Sequence, residues 1–147
     1  MLTLARADSE PAQKTVKTNL AKEIKKELRA LEPRLKNKKI KTQLKNAEIV
    51  INKTDFLSIF NILVDNAIKY SDESIEVHLT DGRLVIMNDG AKIKSDEIEH
   101  IFERFYQTDK TADGVGLGLA IAKSIAERNH WEINARSAEK TNFTLRW

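Results

Sequence analysis

The sequence predicts an α+β chain, a two-layer α/β sandwich with helices on one face of a mixed β-sheet. Two periodicities and one turn carry that expectation. Leu20, Ile24, Leu28, Leu31 and Leu35 recur every three or four positions, as do Phe56, Ile59, Phe60, Leu63, Ala67 and Tyr70, which is helical spacing. Ile75, Val77 and Leu79 alternate with Glu76 and His78, which is strand spacing, and Asp81-Gly82 then joins them to Leu84 to Met87. A two-residue Asp-Gly link between such runs is a hairpin signal, with both central positions expected at positive φ.

The first helical stripe is expected from Val16, with Pro33 kinking or ending it near Glu32, because proline lacks the N–H and crowds the preceding turn. Arg34 to Lys45 holds six basic residues and no acid, and reads as an exposed loop and an edge strand. Glu48 to Ile51 is a short β-prone run. Thr54-Asp55 is expected to cap the second helix, since short oxygen-bearing side chains accept its first free N–H groups. Ser71-Asp72 ends that helix. Ser95-Asp96 is expected to cap another, through about Arg104. Gln107 to Val115 is polar and aperiodic, which predicts a loop, and Leu117 to Arg128 is helical. Trp131 to Ala135 and Phe143 to Trp147 are the last strands, with Phe143, Leu145 and Trp147 on one face. The expected order is helix, strands, helix, hairpin, helix, helix, hairpin.

A chain of 147 residues with 41% hydrophobic and 32% charged residues suits one folded domain and not a disordered one. Zero Cys excludes disulfides, thiolate metal sites and cysteine nucleophiles. No apolar stretch approaches the ~20 residues of a membrane helix, and the first residues show no leader pattern. Residues 1–53 hold 14 Lys/Arg against 6 Asp/Glu, and residues 54–147 hold 11 against 16. A basic N-terminal part invites a nucleic-acid reading, but no aromatic residue lies between Val16 and Asp55 to stack a base. A solvated helix and linker account for the charge, and no nucleic-acid partner is expected.

Three segments hold groups suited to binding chemistry. In Asn61-Ile-Leu-Val-Asp-Asn66-Ala-Ile-Lys69-Tyr70, helical spacing puts Asn66, Lys69 and Tyr70 on nearly one face. An amide oxygen suits a hard cation, an ammonium suits phosphate, and a ring can lie against a base. Met87-Asn88-Asp89-Gly90-Ala91-Lys92-Ile93 follows a buried strand and reads either as a turn or as a site that receives a purine amino group. Gly114-Val-Gly116-Leu117-Gly118 passes from a polar loop into a helix, where bare backbone N–H groups favour anions. It is neither a Walker loop nor a dinucleotide fingerprint, because no Gly-Lys-Ser/Thr and no βαβ unit accompany it.

In this order, with Ile101-Phe102-Glu103-Arg104-Phe105-Tyr106 between the second and third, the segments resemble the catalytic, ATP-binding domain of sensor histidine kinases. That family belongs to the superfamily (GHKL) shared with type II topoisomerases, heat-shock chaperone ATPases and mismatch-repair ATPases. The likeness runs from about Phe56 to Trp147. It implies a Bergerat-type fold that binds ATP and Mg²⁺ under a lid at residues 107–115. Carried over by position, Asn66 is the metal ligand, Lys69 meets phosphate and Tyr70 flanks the adenine. Gly90 and Ile93 line the base pocket, Phe102 and Phe105 anchor the lid, and Gly114, Gly116, Leu117 and Gly118 wrap the phosphates. Counting back from Ile93 puts Asn88 where the family has its adenine-reading Asp, while residue type favours Asp89.

The resemblance also implies domain limits and partners. Residues 16–147 are the expected catalytic domain, and residues 1–15 the tail of a preceding helical hairpin or a linker. The implied activity is a protein histidine kinase of two-component phosphorelays, acting on a dimerising hairpin and, through it, on a response regulator. The alternatives are a GHKL-type ATPase and a non-catalytic interaction domain of the same fold. The family's ATPases carry a water-activating Glu where this chain has Ile62, and no Glu lies between Thr54 and Asp72. His78, His100 and His130 all lie outside a phosphoacceptor context, so the acceptor is expected on a separate hairpin. The chain is expected to be soluble and monomeric, a cytoplasmic part of a membrane-anchored parent.

Overall fold

The computed structural model describes residues 14–106 and 117–147. Along the chain run β1 (Val16–Asn19), α1 (Leu20–Leu35), β2 (Lys39–Leu44), β3 (Glu48–Ile51), α2 (Lys53–Tyr70), β4 (Ser74–Thr80) and β5 (Arg83–Asn88). A single turn α3 (Ser95–Ile98), then α4 (Gly118–Arg128), β6 (Glu132–Ser137) and β7 (Thr141–Arg146) complete it. The main sheet has five strands in the order β2-β4-β5-β7-β6. β2 is parallel to β4 and the other neighbours are antiparallel. β1 and β3 form a separate antiparallel ribbon.

The sheet buries one face. Ile75, Val77, Leu79, Leu84, Ile86, Phe143 and Leu145 point inward against Phe56, Ile59, Phe60, Leu63 and Val64 of α2 and Ala122, Ile125 and Ala126 of α4. Every second residue along these strands is therefore turned inward, apolar except at Asn88 and Thr141, because successive side chains alternate faces. The α1 stripe joins the same core: Leu20, Ala21 and Ile24 are buried, and Leu28, Leu31 and Leu35 pack against it. Trp147 meets Phe56 edge-on at 5.4 Å between ring centroids.

Several local expectations are corrected. Val16 to Asn19 is a strand, and α1 starts only at Leu20, where the Asn19 side chain accepts from the Lys22 N–H. Pro33 lies inside α1 without ending it. It sits in the last turn, and both Pro33 and Arg29, whose carbonyl loses its partner, are exposed to water. The cap of α2 is Asn52, accepting from the Asp55 N–H, and Thr54 and Asp55 lie within the helix. The helix from Ser95 ends at Ile98, its cap Lys94 has no side-chain bond, and turns follow. At the Asp81-Gly82 link only Gly82 has positive φ, at 69°. The expected loop at residues 107–115 lies outside the described residues.

Candidate functional site

The second segment and Gly118 of the third meet the C-terminal half of α2. The direction of α2 is fixed at the other end by a buried polar cluster. Asp55, 2% exposed, accepts from Arg128 Nε at 3.0 Å and Nη2 at 2.5 Å. Asn129 Nδ2 and Asn52 Nδ2 also donate to it, at 2.7 and 3.0 Å. This ties the start of α2 to the end of α4. At the other end of α4, Gly118 faces Ile62 of α2, with room for a Cβ 3.6 Å from the Ile62 methyl. The glycine-bearing helix start thus lies one turn along α2 from Asn66.

Asn66 and Tyr70 are half-buried and Lys69 is exposed at the last turns of α2. The Asn66 side chain has no hydrogen-bond partner among the described residues. Asp65, one step around the helix, faces away and pairs with Arg34. Ile62 is half-buried and apolar, so no carboxylate stands there.

The second segment closes against the first through backbone. A Cβ on Gly90 would stand 1.7 Å from the Tyr70 carbonyl oxygen, so only glycine fits. β5 runs through Asn88, and Leu84, Ile86 and Asn88 share its inward face. Asn88 is 4% exposed, and its amide has no side-chain partner among the described residues. Asp89, beyond the strand, turns back to accept from the Asp72 N–H at 3.0 Å and the Glu73 N–H at 3.1 Å. Desolvation opposes its charge, but backbone hydrogen bonds from Ser74, Glu73 and Asp72 hold its carboxyl below the usual range.

Two groups beside Asn88 escaped the sequence reading. Thr141 of β7 is its cross-strand partner and is buried. Thr141 Oγ1 lies 3.0 Å from Ser137 Oγ, which accepts from the Ile93 N–H at 2.9 Å. The loop carrying Ile93 is thereby pinned to the last hairpin. Ser71 Oγ is also buried and has no partner among the described residues. The signal for Thr141 was its parity with Phe143 and Leu145.

Past Ile93, the aromatic pair divides. Phe102 packs edge-on against Phe143 at 6.3 Å, with Lys123 Nζ 5.7 Å from its ring centroid. Phe105 is 60% exposed with φ 65°, and Tyr106 packs partly on the core instead. Phe102 and Tyr106 thus pack against the core, and Phe105 does not. Leu117, half-buried, precedes α4, whereas Gly114 and Gly116 lie outside the described residues. The histidines sit on the open sheet face (His78), in the turn after α3 (His100) and after α4 (His130). His100 was expected on a helix; its Nδ1 instead pairs with Glu103 Oε1 at 2.7 Å, which raises its pKa.

Comparison with known proteins agrees with this layout. Residues 51–147 match the family "Histidine kinase-, DNA gyrase B-, and HSP90-like ATPase". The sensor histidine kinase YkoH of Bacillus subtilis is 41% identical over 87 residues, 54% of this chain and 19% of that protein. The heme sensor protein HssS of Staphylococcus epidermidis is 37% identical over 93 residues, 59% of this chain and 20% of that protein. The chain thus spans about a fifth of the length of these curated relatives. Among solved structures, full-length ShkA in complex with AMPPNP superposes with a TM-score of 0.82 over 98% of this chain and 33% of that one, at 20% identity. The mycobacterial sensor histidine kinase MprB gives 0.77 over 89% and 95%, at 21% identity. The fold is that of histidine kinase catalytic domains, and the chain belongs to the histidine kinase-, DNA gyrase B- and HSP90-like ATPase family.

Proposed function

We propose that this chain is the nucleotide-binding catalytic domain of a two-component sensor histidine kinase. It takes Mg-ATP at the end of α2 and passes the γ-phosphoryl group to a histidine on a separate helical hairpin. The observation that carries the reading is the inward-facing Asn88 side chain, without a hydrogen bond among the described residues, beside Gly90, which closes on the Tyr70 backbone. An amide that faces the core edge with its hydrogen-bonding capacity unused suits a ligand that hydrogen-bonds. The named sensor kinases among its relatives support the same reading.

In this reading Asn88 receives the purine amino edge, since an amide both donates and accepts. Asp89, spent on the turn after α2, is not the reader. Tyr70 flanks the base, and Gly90 and Ile93 line it. Lys69 and the N–H groups of residues 114–118 meet the phosphates, where the start of α4 favours negative charge. Asn66 supplies one amide oxygen to Mg²⁺. Among the described residues no cluster of three or more His, Asp or Glu could hold a metal, and Asn66 is the one ligand proposed. When bound, the ion neutralises charge developing on the transferring group.

On α2 neither the apolar Ile62 nor the outward Asp65 is suited to activate water, which favours transfer over hydrolysis. The acceptor imidazole nitrogen forms the new P–N bond as the bond to the ADP oxygen breaks. Domain limits at 16–147, the hairpin and response regulator as partners, and a cytoplasmic site on a membrane-anchored parent complete the proposal. No described helix is long and apolar enough to cross a membrane.

The test is phosphotransfer from labelled ATP. The chain alone should gain no acid-labile phosphate; with a hairpin carrying its cognate histidine, that hairpin should be labelled. Labelling of His78, His100 or His130, or rapid phosphate release without transfer, would overturn the assignment. Calorimetry showing no Mg-ATP binding would leave the interaction-domain alternative.

A further inference from the structure

The face of the main sheet opposite the helices has no cover among the described residues. Strand register fixes what it presents. One row crosses all five strands: Gln43, His78, Val85, Thr144 and Asn134, none of them an acid. On one side of it Arg83 and Arg146 stand directly opposite each other. On the other side, Met87 and Asn142 lead to Arg136. Together these residues line a shallow trough, with Lys45 at its end.

Basic residues outnumber acids on this face: Lys41, Arg83, Arg136 and Arg146 stand against Glu76 and Glu132. Like charges directly opposite on neighbouring strands repel, so Arg83 beside Arg146 is unfavourable; Glu132 of β6 stands opposite Arg146 on its other side but makes no ion pair with it among the described residues. Neither arginine has a carboxylate partner within the described residues, and nor does Arg136. Of the nearby acids, Glu76 pairs with Lys140 at 2.9 Å and Asp81 with Lys45 at 2.6 Å, while Glu132 is the cross-strand neighbour of Arg146. At the floor, Asn142 Oδ1 is shielded from water and has no partner among the described residues.

We infer that this trough is a docking surface for an acidic, extended segment of another protein. The segment lies across the strands over the uncharged row, with carboxylates reaching Arg83 and Arg146 on one side and Arg136 on the other. Five strands about 4.8 Å apart span roughly 19 Å, which about six extended residues cover at ~3.3 Å each. A protein fits better than nucleic acid, because no aromatic side chain stands in these rows to stack a base. A membrane surface fits less well, because Val85 and Met87 lie at the floor and do not project.

The probe is a fluorescein-labelled octapeptide alternating Glu and Val, followed by anisotropy at about 50 mM and about 300 mM salt, where the screening length falls. The wild-type chain should bind it, and more weakly at the higher salt. Arg83→Glu and Arg136→Glu should each weaken binding at least tenfold. Lys25→Glu, the same charge change on the exposed side of α1, should change it less than twofold. Amide shifts on peptide addition should centre on Val85, Thr144 and Asn134, a readout that needs no variant. Mg-ATP affinity should be unchanged throughout, which separates this surface from the nucleotide site. Absence of binding at low salt, equal loss in Lys25→Glu, or tighter binding of an eight-residue oligothymidylate or of phosphatidylglycerol vesicles would overturn the inference.

Discussion

Asp55→Ala is the most informative single cut in the scaffold. It removes the acceptor for two Arg128 bonds, at 3.0 and 2.5 Å, and for the Asn129 and Asn52 amides at 2.7 and 3.0 Å. The Arg128 side chain is 16% exposed, so its guanidinium cannot fully regain water. Breaking a buried pair from one side costs about 3–5 kcal/mol. Because Arg128 retains an edge to solvent, the lower figure, ~3 kcal/mol, is expected. For a chain of this size that is a fall in Tm of roughly 10 °C. Arg128→Met leaves Asp55 with its two amide donors and should cost less, about 2 kcal/mol. The assay is urea unfolding followed by far-ultraviolet circular dichroism for both single variants and the double variant. A coupling above ~1.5 kcal/mol is expected for charges in direct contact. Additivity within about 0.5 kcal/mol would refute the claim that this pair locks α2 to α4.

Three further perturbations test separate joints. Gly90→Ala places a methyl 1.7 Å from the Tyr70 carbonyl oxygen, so the two segments must part; a loss of at least ~3 kcal/mol is expected by thermal melting, and wild-type Tm would contradict the contact. His130→Gly relieves a φ of 59° in the turn after α4 and should raise stability by up to ~1 kcal/mol, read as a higher Tm. Asp89→Asn should cost ~1 kcal/mol at neutral pH by removing the charge that caps the Asp72 and Glu73 N–H groups. The folded carboxyl of Asp89 titrates below its unfolded value, so its contribution is present above about pH 4 and fades as pH falls through the folded value. The gap between wild type and Asp89→Asn in urea midpoints should therefore close in acid.

The fold was legible where periodicity ran long. The α2 stripe and the alternation in β4 and β5 lie over the core, and burial enforces their spacing. Misreadings fell where tertiary context overrode local chemistry. Asp55 has the residue type of a cap, yet it is buried to meet Arg128, a partner 73 positions away, and Asn52 caps the helix. Val16 to Asn19 is a strand by its pairing with β3, which nothing local in the sequence announces. In the site, the choice between Asn88 and Asp89 turned on parity: β5 extends one residue further than Met87, which aims Asn88 inward and frees Asp89 for the turn. The need for glycine at position 90 was invisible, because it comes from the backbone of Tyr70, a contact only the folded chain makes.

The central claim is that the end of α2 holds Mg-ATP through Asn66. Calorimetric titration of the chain and of Asn66→Ala, each with Mg-ATP and with metal-free ATP, tests it most directly. Asn66 is half-buried and adds no methyl group to the core, so its loss should shift Tm by only about a degree or two, in the range of surface substitutions. The account predicts that Asn66→Ala weakens Mg-ATP at least tenfold, weakens metal-free ATP far less, and abolishes transfer to the hairpin. Equal affinity for Mg-ATP in the two proteins, with transfer intact, would show that Asn66 is an ordinary solvated residue and that the site lies elsewhere.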